Sequence, residues 1–220
     1  MTYRAYWIAG SPYSWRVLLA LAVKGIEYES RLLVGDKYEH KSQEYLDINP
    51  RGLVPSLAYD GGVVYESVAI IAFLDRVHPE ISLLGGSDKD VALIWQNICE
   101  TENYRVKPLI DIIRPVYFDQ VSSNKSEIEA ASIIVSEEFA MINTKLSSQK
   151  FLVGDSLSAA DIVLFPFVMS LHRALTLEAG KVLDLSYIPY STSFPAIAQW
   201  IKRIESIPGY EKAYPPNWRD

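Results

Sequence analysis

Asn49-Pro50-Arg51-Gly52-Leu53-Val54-Pro55-Ser56-Leu57 opens a strand on a proline, a residue that cannot donate to a β-ladder and so belongs at an edge or a special turn. A cis bond between Val54 and Pro55 would leave the Val54 N–H and C=O facing outward, free to pair with an extended peptide ligand. The alternative is a trans proline entering an ordinary strand, which is the commoner state of X-Pro bonds. Downstream, Val54 to Tyr59 and Val63 to Tyr65 read as two short strands joined by Asp60-Gly61-Gly62, a hairpin signal. Tyr65-Glu66-Ser67 leads into a helix over Ser67 to Val77, with Val68, Ile71 and Leu74 on one side and His78-Pro79 as its stop. Ser67 and nearby N–H groups suit a carboxylate at the helix N-terminus, and Glu66 suits an ammonium beside it. A plain serine cap is the alternative.

Upstream, Tyr3 to Ala9 reads as a strand and Ser14 to Lys24 as an apolar helix ended by Gly25. Ile26, Tyr28, Ser30 and Leu32 carry the alternation of a second strand, and the helix-length crossover makes the pair parallel. Between strand and helix lies Ser11-Pro12-Tyr13-Ser14-Trp15-Arg16-Val17. A helix N-terminus exposes unpaired N–H groups and partial positive charge, and a hydroxyl there can donate to a thiolate and favour the ionised form. The competing role for Ser11 or Ser14 is to cap the helix. A weaker helix is expected over Tyr38 to Leu46, before Asn49-Pro50. The order is βαβ, α, ββα.

Beyond residue 80 the chain changes character. Glu80 to Asp88, with Gly85-Gly86-Ser87, reads as a linker, and only helical patterns follow. Val91, Ile94, Trp95 and Ile98 recur at helical spacing, as do Ile197, Trp200, Ile201 and Ile204, with an amphipathic helix over Ser126 to Leu146 between them. Ser158-Ala-Ala-Asp161 forms a capping-box start to the run Ile162 to Val168, whose all-round apolarity marks a buried central helix and whose Pro166 implies a kink. The expected division is an α/β domain over 1–79 and an all-α domain over 88–220, with the linker at 80–87.

The 220 residues carry a net charge of −6, which argues against a nucleic-acid or anionic-membrane partner. Tyr3 to Ile8 alternates and includes Arg4, unlike a signal-peptide core, and no run approaches the roughly 20 apolar residues of a membrane span. The lone cysteine, Cys99, excludes an internal disulfide and a CxxC pair, and suits a reducing, cytoplasmic compartment. It lies on an apolar stripe and is expected to be buried; Trp95, Trp200 and Trp218 are expected in core and tail packing. Any thiol chemistry would therefore use a thiol brought in by a ligand. His40, His78 and His172 lack metal-ligand spacing, so no metal is expected, and no Gly-rich phosphate loop or GxSxG occurs.

In this order the motifs resemble the cytosolic glutathione S-transferase family along the whole chain. Val54-Pro55 followed about ten residues later by Glu66-Ser67 is the specific signature, and the Ser158 to Asp161 box is similar to that of the family's second domain. Glu39-His40-Lys41 resembles the phi class, Ser-Pro-Tyr the tau class, and Ser14-Trp15-Arg16-Val17 with Lys24-Gly25-Ile26 the zeta class. Two departures stand out: zeta enzymes carry a cysteine where this chain has Tyr13, and phi enzymes a glutamine where it has Leu53. The resemblance implies a thioredoxin-like first domain with an all-helical second. It also implies glutathione as co-substrate, a homodimer, and a small electrophile bound between the domains, with Tyr104 and Tyr117 as contacts. By the same resemblance Ser11 activates the thiol, with Ser14 and Tyr13 as alternatives. His40 and Lys41 hold the glycine end of glutathione, Val54 and Pro55 its middle, and Glu66 and Ser67 its γ-glutamyl end. Conjugation is the expected reaction, with a non-catalytic binding role, a peroxidase or an isomerase as alternatives.

Overall fold

A computed structural model describes residues 1–219, which divide into two compact units, residues 1–83 with 206 onward, and residues 84–205. The first unit is built on a four-stranded sheet in the order β2-β1-β3-β4. Its strands are β1 (Tyr3–Trp7), β2 (Glu29–Leu32), β3 (Ser56–Tyr59) and β4 (Gly62–Tyr65). β1 pairs parallel with β2 and antiparallel with β3, and β3 pairs antiparallel with β4. Helix α1 (Pro12–Val23) makes the right-length crossover between the parallel strands, and α3 (Ser67–Val77) packs beside it. Trp15, Leu19, Leu21, Leu57, Ile70, Ile71 and Leu74 fill this core. This is the thioredoxin-like arrangement.

Among the boundaries that differ from the sequence reading, three have clear local reasons. α1 starts at Pro12 rather than Ser14, because proline has no N–H to lose at a first helical position and Ser11 caps it from outside. β3 starts at Ser56, after the proline rather than at Val54. The expected helix over 38–46 is broken: 3-10 turns at Gly35–Lys37 and Glu39–Lys41 flank Tyr38, whose φ of 54° is left-handed, and only α2 (Gln43–Leu46) is α-helical.

The segment after α3 is fastened to its own unit. Lys24, with a side chain only 1% exposed, pairs with Asp75 (2.9 Å) and donates to the carbonyls of His78 (2.8 Å) and Ile81 (2.5 Å). Asp75 in turn accepts the Leu83 N–H (2.6 Å). So the first part of the expected linker is held by a buried lysine, whose ammonium offers three donors to three acceptors.

The second unit contains α4 (Asp88–Glu100), a π-helical stretch at Thr101–Arg105, α5 (Val106–Tyr117), α6 (Lys125–Leu146), α7 (Ala159–Thr176), the short α8 (Glu178–Lys181) and α9 (Tyr190–Ser193), and α10 (Pro195–Glu205). α7 is central and almost wholly buried, including Asp161 and Pro166. It is the one helix among the described residues long and apolar enough to cross a membrane, where no such run was expected, and its side chains are taken up by this unit's core. Arg105, 7% exposed, reaches Glu138 and Glu100 at 2.8 Å each, so the buried guanidinium is paired on both sides.

Two expectations about this unit are corrected. Cys99 is exposed, and Trp95 is 38% exposed, because α4 presents Ile94, Asn97 and Ile98 inward and its neighbours at 95 and 99 fall outside that stripe. The C-terminal boundary also moves. Residues 206–220 were expected with the helical domain, whereas the described part of that segment, including α11 (Tyr210–Ala213), packs on α1 in the first unit.

Candidate active site

Strand register gathers the motifs at one end of the first sheet. Tyr6 pairs with Ser56, and Ser56 with Tyr65. Continuing each strand by one or two residues therefore brings the start of the Ile8–Ser11 turn, Val54-Pro55 and Glu66-Ser67 alongside one another. Two helices, α1 and α3, begin at this edge, so two sets of unpaired N–H groups and two partial positive charges face the same region.

At the first helix, Ser11 has extended backbone angles and its Oγ accepts the Ser14 N–H (3.2 Å), the geometry of an N-cap. The cap and the thiol-activating role are compatible. Capping uses a lone pair of Oγ, and the hydroxyl proton makes no hydrogen bond among the described residues. Ser14 is buried and its Oγ accepts the Ile8 N–H (3.3 Å), which ties the end of β1 to the first helical turn. Tyr13 carries the Arg16 guanidinium over its ring, 5.0 Å from the centroid.

Arg16 is the residue that the sequence reading passed over. It is fully buried in α1, and its Nη1 donates to Ser67 Oγ at the start of α3 (3.2 Å). A guanidinium beside a helix N-terminus adds full charge to partial charge and favours an anion there. The signal was present as a lone arginine inside the apolar run Trp15-Arg16-Val17-Leu18-Leu19.

At the second helix, Glu66 rather than Ser67 occupies the cap position. Its φ of 70° is a left-handed value rarely adopted by a residue with a side chain, and such strain costs about 1–3 kcal/mol. The carboxylate stays exposed, 3.8 Å from the Arg51 guanidinium. Ser67 is buried, its hydroxyl accepting from Arg16 while its proton remains available.

Between them, the Val54-Pro55 bond is cis, and neither backbone group of Val54 is hydrogen-bonded among the described residues. Buried side chains hold the preceding carbonyl. The Tyr45 hydroxyl (2.7 Å) and Asn49 Nδ2 (2.8 Å) both donate to Leu53 O, and both also reach Ser56 Oγ. A phenol has one proton, so Ser56 supplies the proton of the Tyr45–Ser56 contact. Leu53, where phi enzymes have glutamine, is exposed.

The Glu39–Lys41 turn is locked to the same loop. Lys41 Nζ donates to Gly52 O (2.6 Å), and a Cβ on Gly52 would lie 3.0 Å from His40 O, so Gly52 needs both its φ of 57° and its missing side chain. The Lys41 ammonium keeps further donors after this bond. His40 Nδ1 is buried with no hydrogen-bond partner among the described residues, and burial, then the charge of Lys41, holds its imidazole below the usual range. Tyr104 and Tyr117 belong to the second unit, at the π-helical stretch and the end of α5, and both are exposed. No group of three His, Cys, Asp or Glu side chains able to hold a metal occurs among the described residues.

Two helix N-termini, a buried arginine, the unpaired backbone of Val54 and a hydroxyl with an unused proton thus lie at one end of the first sheet. Residues 10–77 match the glutathione S-transferase N-terminal domain, and residues 106–208 match the glutathione S-transferase C-terminal domain. Over 98% of its length the chain is 32% identical to maleylacetoacetate isomerase of Dictyostelium discoideum, spanning 94% of that protein. It is 28% identical to glutathione S-transferase A of Pleuronectes platessa, covering 96% of this chain and 91% of the relative. The crystal structure of a glutathione S-transferase from the Antarctic clam Laternula elliptica has a TM-score of 0.84 at 26% identity, covering 100% of this chain and 95% of that one. The chain belongs to the glutathione S-transferase family, whose co-substrate is glutathione.

Proposed function

We propose that the protein ionises the thiol of glutathione at Ser11 and adds the sulfur to an electrophilic carbon of a small molecule. The observation that carries this reading is the Ser11 hydroxyl, which caps α1 through a lone pair and keeps its proton for a thiolate. Glutathione would lie with its γ-glutamyl group at Glu66 and Ser67, its cysteinyl backbone on Val54 beside Pro55, and its glycine carboxylate at His40 and Lys41. A thiol of pKa near 8.5 is about 3% ionised at pH 7, and lowering it by about two units brings that to roughly three quarters. The gain is about 25-fold, and holding the partners together supplies the rest. The sulfur–carbon bond forms as the thiolate attacks, and a leaving group departs or a proton is taken up.

The names of several relatives favour a second reading, a glutathione-dependent isomerase. Against it stands Tyr13, where the zeta resemblance has a cysteine; the chain's one cysteine is on α4. A panel of electrophiles, hydroperoxides and a cis-dienoic acid, each assayed with glutathione, separates the readings. Turnover of electrophiles alone supports conjugation, turnover of the dienoic acid alone overturns it, and binding of glutathione with no turnover supports the non-catalytic role. Tyr104 and Tyr117 are proposed contacts for the electrophile, whose Michaelis constant should rise in their alanine variants while that for glutathione stays. A cytoplasmic homodimer engaged in detoxification completes the proposal; a sedimentation mass near 24.8 kDa at micromolar concentration would refute the dimer.

A further inference from the structure

The Ser11 turn is held from behind by the end of the chain. Trp15, one helical turn after Ser11 and 2% exposed, is enclosed by three aromatic rings of the C-terminal segment. Trp218 stands edge-on to it at 5.3 Å and 88°, Tyr214 at 5.7 Å and 85°, and Tyr210 lies 6.3 Å away. Tyr214 and Trp218 also pack edge-on to each other at 6.2 Å, so these two rings and Trp15 form one cluster of edge-to-face contacts with Tyr210 tilted beside it. On the other side of Ser11 is Gly10. Its φ is 80°, and a Cβ placed there would lie 3.1 Å from Asn217 Nδ2 and 3.5 Å from Trp218 Nε1. Trp218 thus packs on Trp15, four residues after Ser11, and stands within van der Waals reach of any Cβ at Gly10, the residue before it. Ser11 itself is fixed by main-chain bonds on both sides: its N–H donates to Ile8 O (3.2 Å) and its C=O accepts the Trp15 N–H (3.0 Å).

We propose that Trp218 and Asn217 are positioning residues for the Ser11 hydroxyl, so that the C-terminal segment sets how well the site ionises a bound thiol. The proposal rests on the reading of Ser11 given above. A hydrogen bond to sulfur weakens steeply with misalignment, and a side chain on a turn has only the packing of that turn to hold its direction. Trp218 is 8% exposed and buttresses the turn with a rigid ring. The exposed Asn217 lies over Gly10, and its amide would have to shift to admit a Cβ there.

The test measures the pKa of glutathione's thiol in the complex, followed by thiolate absorbance, together with kcat and the Michaelis constant for glutathione, in Trp218→Ala, Trp218→Phe and Asn217→Ala. Trp218→Ala should raise the bound thiol's pKa by about one unit, lowering kcat near pH 7 several-fold with a Michaelis constant changed less than about twofold. Trp218→Phe, which keeps a ring against Trp15, should restore most of the shift. Asn217→Ala should move the pKa in the same direction by a few tenths of a unit. A merely structural role would lower the active fraction and leave the pKa of the remaining complex where it was. A folded Trp218→Ala variant with the wild-type thiol pKa overturns the proposal. If that variant does not fold, an unmoved pKa in Asn217→Ala overturns it instead. Wild-type protein that leaves the thiol pKa of bound glutathione unlowered removes the Ser11 reading and this one together, whereas a lowered wild-type value with unmoved variants removes this one alone.

Discussion

Ser11 and Ser158 each open a helix, and their hydroxyls end in different states. Ser158, before α7, is buried and donates its proton to Asp161 Oδ2 (2.9 Å). The same carboxylate accepts the N–H groups of Ser158 (2.9 Å) and Leu152 (2.8 Å) and the indole of Trp200 (2.8 Å). Burial pushes the Asp161 carboxyl upward, and these four donors pull against it. Every polar atom of that cap is used, and what results is stability. Ser11 has a serine, not a carboxylate, three residues on, and so its cap stays open on one side. A cap that is closed by an acid holds a helix; a cap that is left open holds a helix and keeps a donor for a ligand.

Removing the acid from the closed cap should have the largest effect on the fold. Asp161→Ala leaves two backbone N–H groups and the Trp200 indole buried without an acceptor, and should cost about 4 kcal/mol in denaturant unfolding. A loss under about 1 kcal/mol would mean that the comparison misplaces where the stability lies. Ser11→Ala should do the opposite: a fold loss of only about 1 kcal/mol, with the bound thiol's pKa raised by about one to two units. Ser158→Ala is the mirror variant, expected to cost about 1–2 kcal/mol with the thiol pKa unmoved. A shifted thiol pKa there would break the contrast. Ser14→Ala sharpens it within one helix turn. Its Oγ serves the Ile8 N–H, so the variant should lose about 1 kcal/mol of stability and leave the thiol pKa unmoved; if the thiol pKa rises instead, Ser14 is the activating residue.

The smallest expected effect is a pH dependence at His40. Its folded-state pKa is depressed, so above pH 6.5 the imidazole is neutral in both folded and unfolded chains and adds nothing to the pH slope. As pH falls below 6.5 the unfolded chain binds the proton first, and stability declines until the folded value is passed. An imidazole titration followed by NMR should give a midpoint below 6.5, and a midpoint at or above 6.5 would contradict burial of the ring.

The sequence disclosed the elements whose signals are local. The hairpin at Asp60-Gly61-Gly62 and the Ser158–Asp161 box each depend on a few adjacent residues and appear where expected, and the strand after Pro55 is there with its start moved to Ser56. The 38–46 helix failed because two residues leave helical geometry, Tyr38 left-handed and Ser42 extended, while the turn between them docks on Gly52 through Lys41. Arg16 was visible as a charge in an apolar run, but its partner Ser67 lies 51 residues away and only the packing of α1 on α3 brings them together. Helical periodicity placed Cys99 on an apolar stripe because it marks a face and says nothing about how wide the covered part of that face is. The return of residues 206–219 to the first unit left no local trace beyond aromatic richness.

That return has a consequence for how the protein is made. Residues 1–83, which contain the sheet, α1 and α3, are synthesised before the second unit, yet the rings that enclose Trp15 follow after it. At roughly 5–20 residues per second, the interval between residue 83 and residue 206 is on the order of 6–25 s. Throughout that time Trp15 has no aromatic cover from Tyr210, Tyr214 or Trp218, and the nascent first unit presents an apolar face beside Ser11. Residues 206–219 therefore meet α1 only after the whole second unit has been translated, so closure of the first unit has to wait for synthesis of the second.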